Sequence, residues 1–162
     1  MSSPSPVVHV LELRRTFNAP RARVFAAWTR PEELSRWSAP GPMTGQAEVD
    51  LRVGGRYRIT MSNPDGTARV VGGEYKVVDP PARLVYTWAW IDRPNPAQTV
   101  VTVEFHDKGT STEVHLRHEG FHTEEDCKRH EQGWNGGLAK LVNLTNRSAP
   151  PCRQNVRCSS PP

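Results

Sequence analysis

From Gln46 to His118 the chain runs through short stretches in which apolar and polar residues alternate one by one, and a single long stretch of helical periodicity follows. Alternation puts every second side chain on the same side of a strand, so each stretch predicts a strand with one face for a core and one for water. Ala47, Val49 and Leu51 alternate with Gln46, Glu48 and Asp50, and Tyr57, Ile59 and Met61 with Arg56, Arg58 and Thr60. Arg69 to Val78 predicts the next strand, and Leu84, Tyr86, Trp88 and Trp90 share one parity in the strand after it. Val101, Val103 and Phe105 oppose Thr102, Glu104 and His106, while Val114, Leu116 and His118 oppose Glu113, His115 and Arg117. Asn63-Pro64-Asp65-Gly66 and Asp107-Lys108-Gly109 are turns, Asp79-Pro80-Pro81 breaks a strand, and Arg93-Pro94-Asn95-Pro96 is a loop. Strands that are apolar on one side only belong to an antiparallel sheet.

The flanking elements say what covers that sheet. Val7 to Phe17 predicts a first strand with Leu11, Leu13 and Phe17 on one side. Pro20 starts a short helix over Arg21 to Thr29, in which Val24, Phe25 and Trp28 share a face. Arg30-Pro31-Glu32-Glu33 starts a second short helix, with acids where the helix dipole favours them, and it ends near Trp37. The closing helix is expected from Thr123 to Asn146, with Thr123 and Asp126 as a capping pair and Trp134, Leu138, Leu141, Val142 and Cys127 as its apolar stripe. A sheet with one apolar face and one long helix to cover it is the arrangement that satisfies this order.

The chain has 162 residues, which suits one domain over 8–146 with disordered flanks at 1–7 and 147–162. Its formal net charge is +4, but Arg147, Arg153 and Arg157 account for three of those charges and lie in the C-terminal flank. No predicted element carries a basic cluster with interleaved aromatics, so no nucleic-acid partner is expected. The 3 cysteines, with Cys152 and Cys158 in that flank, do not form a disulfide framework. No secretory signal and no membrane span are read in the sequence, and the expected location is the cytoplasm. His115, His118, His122, Cys127 and His130 crowd together in sequence, but His115 and His118 point to opposite faces of one strand and no four-ligand set forms, so no metal or other cofactor is expected. There is no Gly-x-Ser-x-Gly elbow and no phosphate loop.

The segments Arg15-Thr16-Phe17-Asn18-Ala19-Pro20, Val24-Phe25-Ala26-Ala27-Trp28-Thr29 and Pro31 to Trp37, taken in order, resemble the group of homologues of the activator of the heat-shock protein 90 ATPase. Asp50-Leu51-Arg52-Val53-Gly54-Gly55-Arg56-Tyr57, Pro80 to Trp88 and Gly133-Trp134-Asn135-Gly136-Gly137-Leu138 extend the resemblance over residues 8 to 146. Arg30 stands where the group often has an acid, and Ser38 follows Trp37 where it often has a second tryptophan. The group sits in the SRPBCC/START superfamily, so the resemblance implies an α+β helix-grip fold. That fold is a strongly curved antiparallel sheet of about seven strands, two short helices after the first strand, one long C-terminal helix and a cavity between.

The residue pattern supports a cavity on its own terms. Tyr57, Met61, Tyr86, Trp88, Trp90 and Phe105 make the apolar face unusually bulky, and a helix lying across such a face leaves space. Trp37, Tyr75, His118, Trp134 and Leu138 complete the expected lining. Each of these residues has a plain alternative: aromatics fill cores, tyrosine hydroxyls reach water at a strand edge, and a histidine ends a strand in solvent. Gly133, Gly136 and Gly137 each cost a helix about 1 kcal/mol against alanine, which calls for close helix–sheet approach or for room beside Trp134. The expected function is binding of a small hydrophobic ligand, as carrier or sensor, and no catalytic residue is assigned. The resemblance implies two other readings: a co-chaperone-like module with a chaperone partner, and a cyclase- or dehydratase-type enzyme using His118 with a tyrosine. A second copy of the chain is a further candidate partner.

Overall fold

A computed structural model describes residues 8–145. The flanks expected at 1–7 and 147–162, with Cys152 and Cys158, lie outside the described residues, as do Val7 and Asn146. Along the chain stand β1 (His9–Phe17), α1 (Arg21–Thr29), α2 (Pro31–Trp37), β2 (Thr44–Val49), β3 (Arg56–Ser62), β4 (Ala68–Asp79), β5 (Arg83–Trp90), β6 (Thr99–Asp107), β7 (Thr112–Phe121) and α3 (Glu124–Thr145). All seven strands form one antiparallel sheet in the order β1-β7-β6-β5-β4-β3-β2, with β1 and β2 as its edges. The fold is an open helix grip.

Strands β2 to β7 are a meander, each paired with its successor, and β1 returns to β7 with Leu13 opposite Leu116. Leu51 departs from the expected alternation: β2 ends at Val49, and Leu51 lies in a turn, 39% exposed. Gly54, at φ +85°, makes that turn and ties it to β4 by donating its N–H to the Tyr75 carbonyl at 2.9 Å. In β4 the register shifts between Tyr75 and Val77, so Val78 packs against the core where unbroken alternation would have turned it outward.

One sheet edge reaches α3 and the other reaches α2, and these two helices pack on each other, which is how an open sheet bends around them. At one edge Arg15 of β1 hydrogen-bonds to Asn135 of α3. At the other edge the Ala47 N–H of β2 donates to Ser35 Oγ of α2 at 2.8 Å. Arg23 of α1 pairs with Glu33 of α2 at 2.5 Å, and Pro31 occupies the first turn of α2 beside Glu32 and Glu33. Pro20 is the N-cap of α1, one position before the helix proper, and its carbonyl accepts from Arg23 and Val24. Thr123 Oγ1 accepts from the Asp126 N–H at 3.0 Å, capping α3. The Asp126 carboxylate lies 3.6 Å from His130 instead of returning to the cap.

The interior has two halves. Beneath β1, β6 and β7 it is solid: Phe17, Val103, Phe105, Leu116, Leu138 and Leu141 are each at most 2% exposed. Beneath β3, β4 and β5 it is open, and the candidate site is there.

Candidate functional site

A cavity of about 560 Å³ separates β3, β4 and β5 from α2 and α3. Tyr57, Ile59, Met61, Tyr75, Tyr86 and Trp88 form its sheet side, and Trp37, Gly133, Trp134 and Gly137 its helix side. Of the residues expected to line it, Trp37, Tyr57, Met61, Tyr75, Tyr86, Trp88, Trp90 and Trp134 are on the wall. Phe105, Leu138 and His118 are not. Phe105 packs edge-on against Phe25, centroids 5.2 Å apart, in the solid half, and Leu138 is in that core too.

The glycines of β4 build the sheet wall. Gly73 faces Tyr57 across the β3–β4 ladder, and a Cβ on Gly73 would stand 1.9 Å from the Thr87 carbonyl oxygen. The bare position therefore lets β5 come close enough for the Tyr57 hydroxyl to donate to that oxygen at 2.7 Å. Tyr57, Tyr75 and Tyr86 form a ring cluster with centroids 5.2 to 5.9 Å apart. The Trp28 indole N–H donates to the Tyr86 hydroxyl at 3.2 Å. Burial raises the pKa of all three phenols, so each stays a neutral hydroxyl.

The glycines of α3 have two separate reasons. A Cβ on Gly137 would meet the Trp37 carbonyl oxygen at the end of α2 at 2.9 Å, and one on Gly136 would meet the Pro40 Cβ in the loop after α2 at the same distance. The close approach is thus to α2 and the loop that follows it, and not the expected helix to sheet. A Cβ on Gly133 would meet nothing within 4 Å, because Gly133 borders the cavity.

Below the cavity floor lies a polar chain. Trp134 Nε1–H donates to His118 Nδ1 at 3.0 Å, which leaves the proton of the neutral ring on Nε2, 2.7 Å from Thr99 Oγ1. Thr99 in turn donates to the Trp88 carbonyl at 3.2 Å. His118 is 0% exposed, and its pKa is pushed down to about 2, first by desolvation and then by His130. No tyrosine is among its hydrogen-bond partners. At the mouth, His130 holds the opposite tautomer: Nδ1–H donates to the Asp126 carbonyl at 2.8 Å, and Nε2 accepts from Trp90 Nε1 at 3.1 Å. The Arg69 guanidinium lies 4.4 Å over the Trp90 ring and pairs with Asp92 at 3.2 Å. Arg93 and Arg129 also border the opening.

Trp28, Arg69, Arg93 and His130 are wall residues that the sequence reading did not place there. Arg69 had a signal, since it shares inward parity with Val71 and Tyr75 on β4. The sequence-local cluster of histidines and Cys127 only partly holds together: His115 is on the outer face, the His118 and His130 rings lie 5.4 Å apart and are engaged as above, and burial together with nearby Glu131, Asp126 and Glu124 raises the Cys127 thiol pKa. Trp88 Nε1 and Ser38 Oγ are buried polar atoms without a partner among the described residues, and both residues border the cavity.

An open helix grip with a hollow on one side of its interior is the class of protein that this fold and site define. The chain belongs to the activator of Hsp90 ATPase homolog 1-like protein family, whose sequence profile matches residues 18–146. A solved protein of Chromobacterium violaceum is 26% identical with a TM-score of 0.80, covering 86% of this chain and 98% of that one. The AHSA1 protein of Silicibacter pomeroyi is 27% identical with a TM-score of 0.76, covering 84% and 96%. A protein of Nitrosomonas europaea is 26% identical with a TM-score of 0.71, covering 83% and 92%. No curated protein matches the chain significantly in sequence.

Proposed function

We propose that the protein binds a small hydrophobic molecule in the cavity beneath β3, β4 and β5, as a carrier or sensor. The half-filled interior carries this reading. At about 560 Å³ the hollow is within the range of small-molecule sites, roughly 300–1,000 Å³, and its walls are aromatic with a few fixed polar groups. The unpartnered Trp88 Nε1 supports it further, since a buried donor left alone costs about 1–3 kcal/mol and a ligand acceptor offsets that. The arginines at the mouth suit the polar end of an amphipathic ligand, with its apolar body inside.

Titration with an apolar dye that fluoresces on leaving water tests the proposal. The parent protein should bind one equivalent saturably, and Gly133→Phe, which fills the hollow from α3, should weaken binding at least tenfold. Absence of saturable binding, or equal binding by the variant, sinks it.

Two other readings fare less well. The co-chaperone reading rests on the family description, and retention of the chain by immobilised Hsp90 would favour it. The cyclase or dehydratase reading relied on His118 as a base, and that ring is off the wall with both nitrogens engaged.

A further inference from the structure

The outer face of the sheet carries a cluster remote from the cavity. Glu104 and His106 share a face of β6, and Glu113 and His115 share a face of β7, each opposite in parity to the buried Phe105 and Val114. The β6–β7 register sets Glu104 against His115 and His106 against Glu113, so acid and imidazole alternate around a block of four. One diagonal of the block is drawn together and joins the two imidazoles, whose centroids are 4.2 Å apart. Glu104 Oε1 lies 3.2 Å from His106 Nε2, and Glu113 Oε1 2.8 Å from His115 Nε2. Ligand atoms of Glu104, His106 and His115, one from each, lie within 4.8 Å of one another.

We propose that this block is a divalent metal site of the Zn²⁺ class, with Glu104, His106 and His115 as ligands. Two imidazoles and a carboxylate are a donor set that suits zinc and its neighbours in the first transition row. Bonds of about 2.0–2.2 Å require the ligand atoms to draw closer than they stand, which rotation of these part-exposed side chains provides. The backbone need not move, because the β6–β7 ladder fixes all four positions. Glu113, bonded to the His115 ring, takes the supporting role of the carboxylate that orients a ligand imidazole. The side chains are 27% to 45% exposed, so the site is an exchanging one at the surface. Arg14 faces His115 from β1, and Arg83 faces Glu104 from β5. Their charges oppose a cation, and the two carboxylates offset them. The plain alternative, two part-exposed histidine–glutamate pairs, adds little to stability and binds no metal selectively.

Calorimetric titration of the chelator-treated full chain with Zn²⁺ tests the site, with His122→Asn as a control on an exposed histidine outside the block. His106→Asn and His115→Asn should each weaken one binding event at least tenfold, Glu113→Gln about tenfold, and His122→Asn should leave it unchanged. Zinc affinities equal across these variants overturn the proposal. If an outer-face variant folds poorly, the histidine ring resonances of the parent decide. Zinc should shift those of His106 and His115 first, and unmoved signals there overturn it equally.

Discussion

His118 shows how far a single residue can be read. Strand parity on β7 points it inward with Val114 and Leu116, and it is inward. Its partners, Thr99 and Trp134, come from other elements, so no local pattern announces that both ring nitrogens are engaged. The consequence is measurable. In the unfolded chain the imidazole takes a proton near pH 6.5, whereas in the fold its pKa is pushed down to about 2. Above pH 7 both states hold a neutral ring and the stability it supports is intact. As pH falls below 6.5 the unfolded chain gains a proton that the fold refuses, and stability declines by up to about 1.4 kcal/mol per pH unit towards pH 2. Urea unfolding at pH 6.5 and pH 4.5 should therefore show the parent losing about 2 kcal/mol more than His118→Gln. Equal losses would mean that the ring protonates in place.

Among the elements, the strands were the easiest to read, because one dry face imposes alternation on the sequence. The bulge in β4 was hidden because Val77 and Val78 are both apolar, and a shift of one residue leaves no mark in such a pair. The last helix was legible from its stripe, and its glycines announced themselves as an anomaly, yet their reasons lie in the cavity beside Gly133 and in the chain from Trp37 to Gly41 beside the other two. Open space beside Gly133 and close contacts at Gly136 and Gly137 make opposite predictions. Gly133→Ala meets nothing, so it should stabilise the protein by about 1 kcal/mol through helix propensity. Gly136→Ala and Gly137→Ala gain the same propensity but drive a methyl into Pro40 and the end of α2 respectively, and overpacking of about 1–3 kcal/mol should reverse the sign. Midpoints of chemical denaturation for the three variants check this. A Gly136→Ala protein more stable than the parent would show that Pro40 yields readily.

For the whole molecule, fold class and element order followed from the sequence. The division of the interior did not, because bulky residues on the inner face look alike whether they fill a core or border a hollow. Phe105 and Trp88 have the same parity and similar bulk; their partners on the helices separate them. Only α1 and the second half of α3 deliver enough side chains to fill their end of the grip. An apolar compound seated in the other end should raise the melting temperature, since a ligand at a hundred times its Kd adds about 2.7 kcal/mol to stability. Thermal melting against a panel of amphipathic acids and neutral hydrocarbons measures this. A compound that binds tightly without raising the melting temperature has not entered the fold.

The order of elements also bears on how the hollow comes into being. Helix α3 supplies Gly133, Trp134 and Gly137 to one wall, and it follows β1 to β7 along the chain. On the ribosome, where N-terminal parts emerge first, the meander is available before its cover. Until α3 arrives, Tyr57 of β3 and Tyr86 and Trp88 of β5 lack the helix that covers their inward face. The compartment therefore takes its shape only when α3 packs onto the sheet, and the aromatic wall is the part that waits for it.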